Sequence, residues 1–218
     1  MRDYTIMTDK ELIERSSRLD ERAFETLYDR YEKTVYSLVY FKLKSPDDAA
    51  DATQETFFKL WQKASLYSGK GSVGAFICTI ASNTATDILR KREELLSLTA
   101  TDKDGEEAEL TLTDGDRTPE QETLHVEELE LVKQAIEELP EQQREVLVLC
   151  VINEMSYLDA AQALGADIGT VKSRLSRARE ALRDKMKNFY GIGNKSTDHS
   201  VNISECRRGR CDKNDDRM

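Results

Sequence analysis

Residues 156–175 read SYLDAAQALGADIGTVKSRL, and the spacing of their small and apolar side chains is that of two short helices crossing at a tight turn. Ala161 is small where the helices would approach most closely. Gly165, four residues on, can take the left-handed backbone conformation that turns the chain. Val171, six residues further, would pack back between the helices, and Leu175, Ala178 and Leu182 continue that buried stripe at helical spacing. Beside Val171, this leaves Thr170, Lys172, Ser173, Arg174, Arg177 and Arg179 mostly outward. Hydroxyls and cations at the start of such a helix suit base edges and the phosphates of duplex DNA. A basic helix with a solvated face is the competing reading, and three positions in register weigh against it.

The formal net charge of −10 argues at first against a nucleic-acid partner. Its distribution reverses that reading. Residues 93–128 hold thirteen acids against two bases, so the rest of the chain sums to +1. Residues 168–187 carry seven bases against Glu180 and Asp184, a net +5 on one expected helix. One segment is a polyanion and one helix is a polycation.

Upstream of the helix pair, apolar residues recur at spacings of three and four through most of residues 9–44, which predicts two amphipathic helices. Ser45-Pro46-Asp47-Asp48 reads as a stop and a fresh start, with Pro46 in a first helical turn and two acids at the positive end of the dipole. A third helix is expected to about Tyr67, and Ser68-Gly69-Lys70-Gly71-Ser72 breaks it. A fourth runs from Val73 to Arg90-Lys91-Arg92. From Glu93 to Thr118 the periodicity fails, and the segment is too polar to offset its chain entropy by burial. Helices are expected again over 119–138, 140–153, 157–164 and 168–190. The fold class that follows is all-α: two small helical domains, 1–92 and 119–190, joined by an acidic flexible linker, 93–118, with a disordered tail, 191–218.

With 218 residues, 34% charged and 39% hydrophobic, the chain is expected to be soluble and cytoplasmic. Its longest apolar runs are too short to span a bilayer, and residues 1–20 are charged throughout, so neither membrane insertion nor a secretory signal is expected. Cys78 and Cys150 lie in apolar stretches and read as reduced core residues. His125 and His199 are 74 positions apart and do not form a ligand pair. No metal site, cofactor or nucleophile–base–acid set is expected, so an enzyme is rejected.

Region by region, the chain resembles a sigma-70 family initiation factor of the extracytoplasmic-function (ECF) type. AFETLYDRY (23–31) and DDAADATQETFFKLW (47–61) are similar to the family's polymerase-clamp-binding helices. AFICTIASNTATDILRKR (75–92) is similar to its −10 recognition helix, and residues 139–186, with TVKSRLSRAREAL, resemble its region 4. The resemblance implies a protein that binds core RNA polymerase and promoter DNA, and it raises an anti-sigma protein as a further partner. Domain 1–92 would then be region 2 and domain 119–190 region 4. Asp51, Gln54, Glu55 and Phe58, at helical spacing, would offer acids, an amide and an aromatic to polymerase. The alternative makes Phe58 a core residue and the acids ordinary surface charges. For the −10 element, Tyr67 would stack on a flipped base, Gly69 allow close approach and Lys70 meet a phosphate. Asn83, Asp87, Arg90 and Arg92 match the family's polar, acidic and basic positions on the next helix. The alternatives are a plain helix–helix turn and, for Asp87, a local ion pair. The −35 element would be read by the set from Thr170 to Arg179.

The chain departs from the family at several positions. It lacks the usual Trp near Phe76 and bases near Thr79 and Ser82, which predicts weaker or altered −10 reading. Leu158 and Ala160 also replace more usual residues in region 4. The linker could thread polymerase's active-centre cleft or be a solubilising spacer. The tail pair Cys206 and Cys211, among three arginines, reads as an unstructured basic tail before a redox pair. A free-standing helix-turn-helix regulator that binds promoters alone is the second function class.

Overall fold

The computed structural model describes the backbone of residues 3–98 and 119–193, and the side chains of 3–94 and 128–187. Among these residues every regular element is helical. Eight α-helices follow a 3-10 turn at Tyr4–Ile6: α1 (Asp9–Ser16), α2 (Glu21–Leu43), α3 (Pro46–Lys63), α4 (Val73–Leu98), α5 (Pro119–Glu137), α6 (Glu141–Leu147), α7 (Tyr157–Ala163) and α8 (Ile168–Gly193), with a second 3-10 turn at Ala64–Leu66 after α3. The all-α class and the order of helices expected from the sequence are those observed. The expected tail segment 194–218, with His199, Cys206 and Cys211, and the linker segment 99–118 lie outside the described residues, as does the His125 side chain.

Local chemistry fixes the helix starts. Thr8 and Glu11 form a reciprocal capping box on α1. Asp20 caps α2, accepting from the Ala23 amide, and Ser45 caps α3, with Pro46 at the first position and Asp47 and Asp48 in the first turn. Ser72 Oγ accepts from the Ala75 amide at 3.0 Å and starts α4. Lys44, at φ +57°, ends α2 in the left-handed region, an uncommon place for a residue with a Cβ.

Several boundaries differ from the sequence reading: the third helix ends at Lys63 rather than Tyr67 and passes into the 3-10 turn over Ala64–Leu66, and the last continues to Gly193 rather than ending at 190. The fourth helix continues past Arg92 to Leu98, because Glu93, Glu94, Leu95 and Leu96 are good helix formers. The Arg90 Nε–Glu94 Oε1 approach of 3.9 Å joins one turn to the next. The helix expected over 140–153 stops at Leu147 and gives way to a π turn over Val148–Ile152. Val146, Leu147, Val148 and Leu149 are all buried there, and the wider turn lets consecutive apolar residues face the interior.

The core is continuous across both halves of the chain. Leu12, Leu27, Val35, Leu38, Leu60 and Ile77 from the first half lie in one apolar cluster with Val146, Leu149, Val171 and Leu175 from the second. Helix α7 packs on α4, while α6 and the π turn pack on α2. Periodicity within each helix did not announce this contact between halves. Arg144 is buried in α6 and its Nη1 donates to the Glu137 carbonyl at 2.5 Å, satisfying the end of α5.

Candidate polymerase-binding and nucleic-acid-binding faces

Helix α3 buries Ala49, Ala52, Thr53, Thr56, Phe57 and Leu60 along one side. The opposite side carries Asp51, Gln54, Glu55 and Phe58, all exposed. Phe58 is 62% exposed, so the reading of it as a core residue fails. Its neighbour Phe57 takes the interior, with its ring against Phe24 and Tyr28. Glu55 meets Lys59 at 2.8 Å, and Lys59 also reaches Thr84 Oγ1 at 3.1 Å, so this face is held to α4 from behind. Phe58 thus stands as a large exposed aromatic beside Gln54 and Glu55, with Asp51 two turns back along the same side of α3.

The segment before α4 is a fastened turn. Gly69 and Gly71 have φ values of +75° and +77°, which only glycine adopts freely. Tyr67 Oη donates to the Gly71 carbonyl at 2.8 Å, and its ring lies 5.5 Å from that of Phe76. Tyr67 therefore shapes the loop in this state, while Lys70 stands exposed. The Gln162 amide of α7 donates to the Lys70 carbonyl at 3.3 Å. A Cβ at Gly71 would fall 1.8 Å from Gln162 Oε1, so the contact needs a glycine there.

On α4 itself, Asn83 and Asp87 are exposed. Asp87 stands 3.9 Å from Arg90, the local ion pair that the sequence left open. Arg92 is committed elsewhere, pairing with Asp48 in the first turn of α3. Burial pushes the Asp48 carboxyl up, but hydrogen bonds from Arg92 and Ser45 outweigh it and leave the group below the ordinary carboxylate range. Arg92 in this state thus locks α4 to α3, and Arg90 is the freer cation of the two.

The second helix pair has the geometry its spacing implies. Ser156 caps α7, accepting from the Asp159 amide at 3.1 Å. Gly165 has φ +58°, and the Ala166 amide reaches back to the Ala161 carbonyl at 2.9 Å, closing the turn. Ala161, Val171, Leu175 and Ala178 are buried along the crossing. Val171 is fully buried, so it does not face DNA; it holds α8 on α7. Lys172, Ser173, Arg177 and Arg179 are exposed, and Thr170 and Arg174 are half-buried at the edge of the same face.

One groove of about 380 Å³ on this face is lined by Tyr157, Lys172, Leu175, Ser176, Arg179 and Arg183, with Glu180. The Lys172 ammonium sits 6.0 Å from the Tyr157 ring centre. Tyr157 and Arg183 thus belong to the basic face, although the sequence reading left them out of its site set. Arg183 was legible from its i+4 spacing to Arg179; Tyr157 needed the turn to be folded first. Among the described residues no group of three or more His, Cys, Asp and Glu could hold a metal, and no helix is long and apolar enough to cross a membrane. Burial pushes the Cys78 thiol up to about 12, with the Asp159 charge adding to it, and pushes the half-buried Cys150 up to about 11.

The first half thus carries a fastened loop leading into α4, and the second a basic helix-turn-helix. Residues 27–94 match the family model described as Sigma-70 region 2, and residues 129–182 match Sigma-70, region 4. The chain is 32% identical over 184 residues to the ECF RNA polymerase sigma-E factor of Haemophilus influenzae, covering 83% of this chain and 96% of that one. It is 33% identical over 177 residues to the RNA polymerase sigma-H factor of Pseudomonas aeruginosa, covering 80% and 91%. Among solved structures it is similar to the sigma factor RpoE in complex with the anti-sigma factor NepR from Bartonella quintana. That match has TM-score 0.64 and 27% identity, covering 75% of this chain and 96% of that one. The chain belongs to the sigma-70 family, in its ECF group.

Proposed function

We propose that the chain binds core RNA polymerase and directs it to promoters, reading a −10 element with its first half and a −35 element with its second. The observation that carries this reading is the pairing, in one chain, of an exposed acid-and-aromatic face on α3 with an exposed basic face on α8. Domain 1–92 serves as region 2, 93–118 as an acidic linker, 119–190 as region 4 and 191–218 as a tail. Asp51, Gln54, Glu55 and Phe58 contact polymerase. Lys70, Gly69 and Tyr67 in the loop, with Asn83, Asp87, Arg90 and Arg92 on α4, handle the −10 strand; Tyr67 and Arg92 must first leave their present partners. Thr170, Lys172, Ser173, Arg174, Arg177 and Arg179 contact the −35 duplex. The chain acts in the cytoplasm without chemistry of its own. An anti-sigma protein is a third partner, supported by the likeness to the Bartonella complex.

The test compares retention of genomic duplex fragments by the chain alone, by core polymerase alone, and by both together, at several salt concentrations. Selection of discrete fragments only by the pair is expected. Tight selection of the same fragments by the chain alone would make it a free-standing regulator, with the salt dependence of several phosphate contacts.

A further inference from the structure

We propose that Asp9, Tyr31 and Gly74 are positioning residues for the −10 strand. Together they fix where loop 67–72 enters α4, and hence where Tyr67, Gly69 and Lys70 meet that strand. The roles assigned to them rest on the −10 assignment of this loop. None of the three stands in the site set drawn from the sequence.

The arrangement starts with two neighbours on α2. The Tyr31 hydroxyl donates to Asp9 Oδ2 at 2.5 Å, and Arg30 Nη1 donates to Asp9 Oδ1 at 2.6 Å. Arg30 Nη2 also donates to the Thr5 carbonyl at 2.6 Å, so α2 grips both the first turn of α1 and the segment before it. Bonds to a charged group are short and directional, and here both oxygens of Asp9 are used. Burial, then the hydrogen bond to Asp9 and its charge, pushes the Tyr31 hydroxyl well above its ordinary value, so it stays a donor. A tyrosine held at its far end does not swing aside freely.

The ring so held meets the start of α4. Gly74 is the second residue of that helix, and a Cβ there would fall 2.9 Å from Tyr31 Cε1 and 3.2 Å from its hydroxyl oxygen. Gly74 is not one of the left-handed glycines, so its requirement is one of space: the backbone of α4 rests on the ring. Helix α1 also packs on the 3-10 turn Ala64–Leu66, directly before the loop, and on α4, directly after it. Burial and, after it, the Asp9 charge raise the Tyr67 hydroxyl, so the same carboxylate is felt inside the loop. The loop is thus anchored from outside at both ends. Its internal bond is temporary, because Tyr67 must release the Gly71 carbonyl to stack on a base. With Gly69 and Gly71 free to rotate, the outside anchor and the Ser72 cap preserve the entry into α4 once that bond is gone.

The test uses the full chain with core polymerase and a labelled oligonucleotide carrying the −10 non-template strand of a promoter mapped by run-off transcription. Gly74→Ala drives a methyl into the held ring. It should weaken capture of that strand by about tenfold, with core-polymerase affinity and retention of the −35 duplex within about twofold of wild type. Tyr31→Phe keeps the ring and removes the bond to Asp9, and it should weaken capture by about threefold. Tyr31→Leu takes the ring away from Gly74. In that background, adding Gly74→Ala should cost less than about a further twofold, because the methyl has nothing left to strike. Strand capture equal to wild type in folded Gly74→Ala would overturn the proposal. So would a cost of Gly74→Ala that is the same in the wild-type and Tyr31→Leu backgrounds. If Gly74→Ala does not fold, Tyr31→Phe carries the test, and capture equal to wild type overturns the proposal. A parallel loss of core-polymerase affinity in Tyr31→Phe would also overturn it, since Tyr31 would then act at the polymerase face or on the fold as a whole. Wild-type chain that transcribes with core polymerase yet ignores the oligonucleotide would overturn the −10 assignment of the loop, and this proposal with it, a distinct outcome.

Discussion

Helices α4 and α8 are each 26 residues long and each is assigned to a DNA element, yet the fold treats them differently. Helix α4 buries Val73, Ala75, Ile77, Cys78, Ile80, Ala81, Thr84 and Ala85, because α2 and α3 pack on it from one side and α7 from another. Among its described residues, helix α8 buries a single seam, Val171, Leu175 and Ala178. A helix with one seam displays a whole face. A helix wrapped by neighbours offers only its ends and a narrow strip, here the fastened loop before it and the stretch from Asn83 to Arg92. The difference teaches that the displayed area of a helix is set by how many neighbours it has, and one of the neighbours of α4 is α7 of the helix-turn-helix.

Breaking the seam of α8 should have the largest effect. Val171→Asp places a carboxylate where the side chain is fully buried, and it should destabilise the second half by about 4 kcal/mol or more. Denaturant unfolding followed by circular dichroism should show an early transition; a midpoint equal to wild type would remove Val171 from the core. Next comes the exposed face of α3, which neither seam constrains. Phe58→Ala should leave the unfolding midpoint within about 0.5 kcal/mol, since the ring is 62% exposed, while weakening core-polymerase binding at least about tenfold. Equal affinity for the two proteins would take Phe58 out of the interface.

The displayed face itself is sharpened by Arg177→Ala, expected to weaken promoter binding by about 1–3 kcal/mol for a base contact, or to lower the salt slope by about 1 for a phosphate contact. No change in either quantity would leave Arg177 a solvated charge. The wrapped helix has its own reporter. Cys78 lies under Met155 with its thiol pushed up to about 12, so thiol reagents near neutral pH should modify it very slowly. Glu145→Lys, which removes the carboxylate paired with the buried Lys42, should speed that modification by about tenfold, and an unchanged rate would mean that Cys78 is shielded by its own half alone.

The smallest effect expected is electrostatic. Asp48 is held below its ordinary value, with Arg92 as the leading stabilising partner. Its contribution is present above the usual Asp value of about 3.9 and is lost as pH falls through the lower folded value. Both groups are partly exposed, so Arg92→Ala should cost less than about 1 kcal/mol near neutral pH, and nothing once Asp48 is protonated. A cost that persists at pH 2 would mean that Arg92 acts by packing.

Most of the helices were legible because their cause is local. Ser45-Pro46-Asp47-Asp48 carries a cap, a first-turn proline and two dipole-facing acids in four residues. Gly165 announced its left-handed turn by its distance from Ala161 and Val171. The site residues divide on the same principle. Lys172, Arg177 and Arg179 were readable as outward because one seam fixes the rotation of α8. Val171 was legible as a core residue, but its place in the DNA-reading set was not sustained by its burial. Phe57 and Phe58 are alike in hydrophobicity, but Phe57 falls at helical spacing with Ala49, Ala52, Thr53 and Leu60, which marks it as inward, and its packing on Phe24 and Tyr28 agrees. The partners of Arg92 and Gln162 lie on other segments, and nothing near Lys42 in the sequence marks it as buried. Its burial depends on Glu141 and Glu145, about a hundred residues away, a separation that periodicity does not report.

The central claim, that two differently displayed heads on one chain direct polymerase to promoters, is tested most directly by run-off transcription of the source genome's DNA with core polymerase, with and without the chain. New, defined 5′ ends that require the chain, with a shared pair of upstream elements, are the expected result. Intact chain and active core giving the same transcripts as core alone would contradict it.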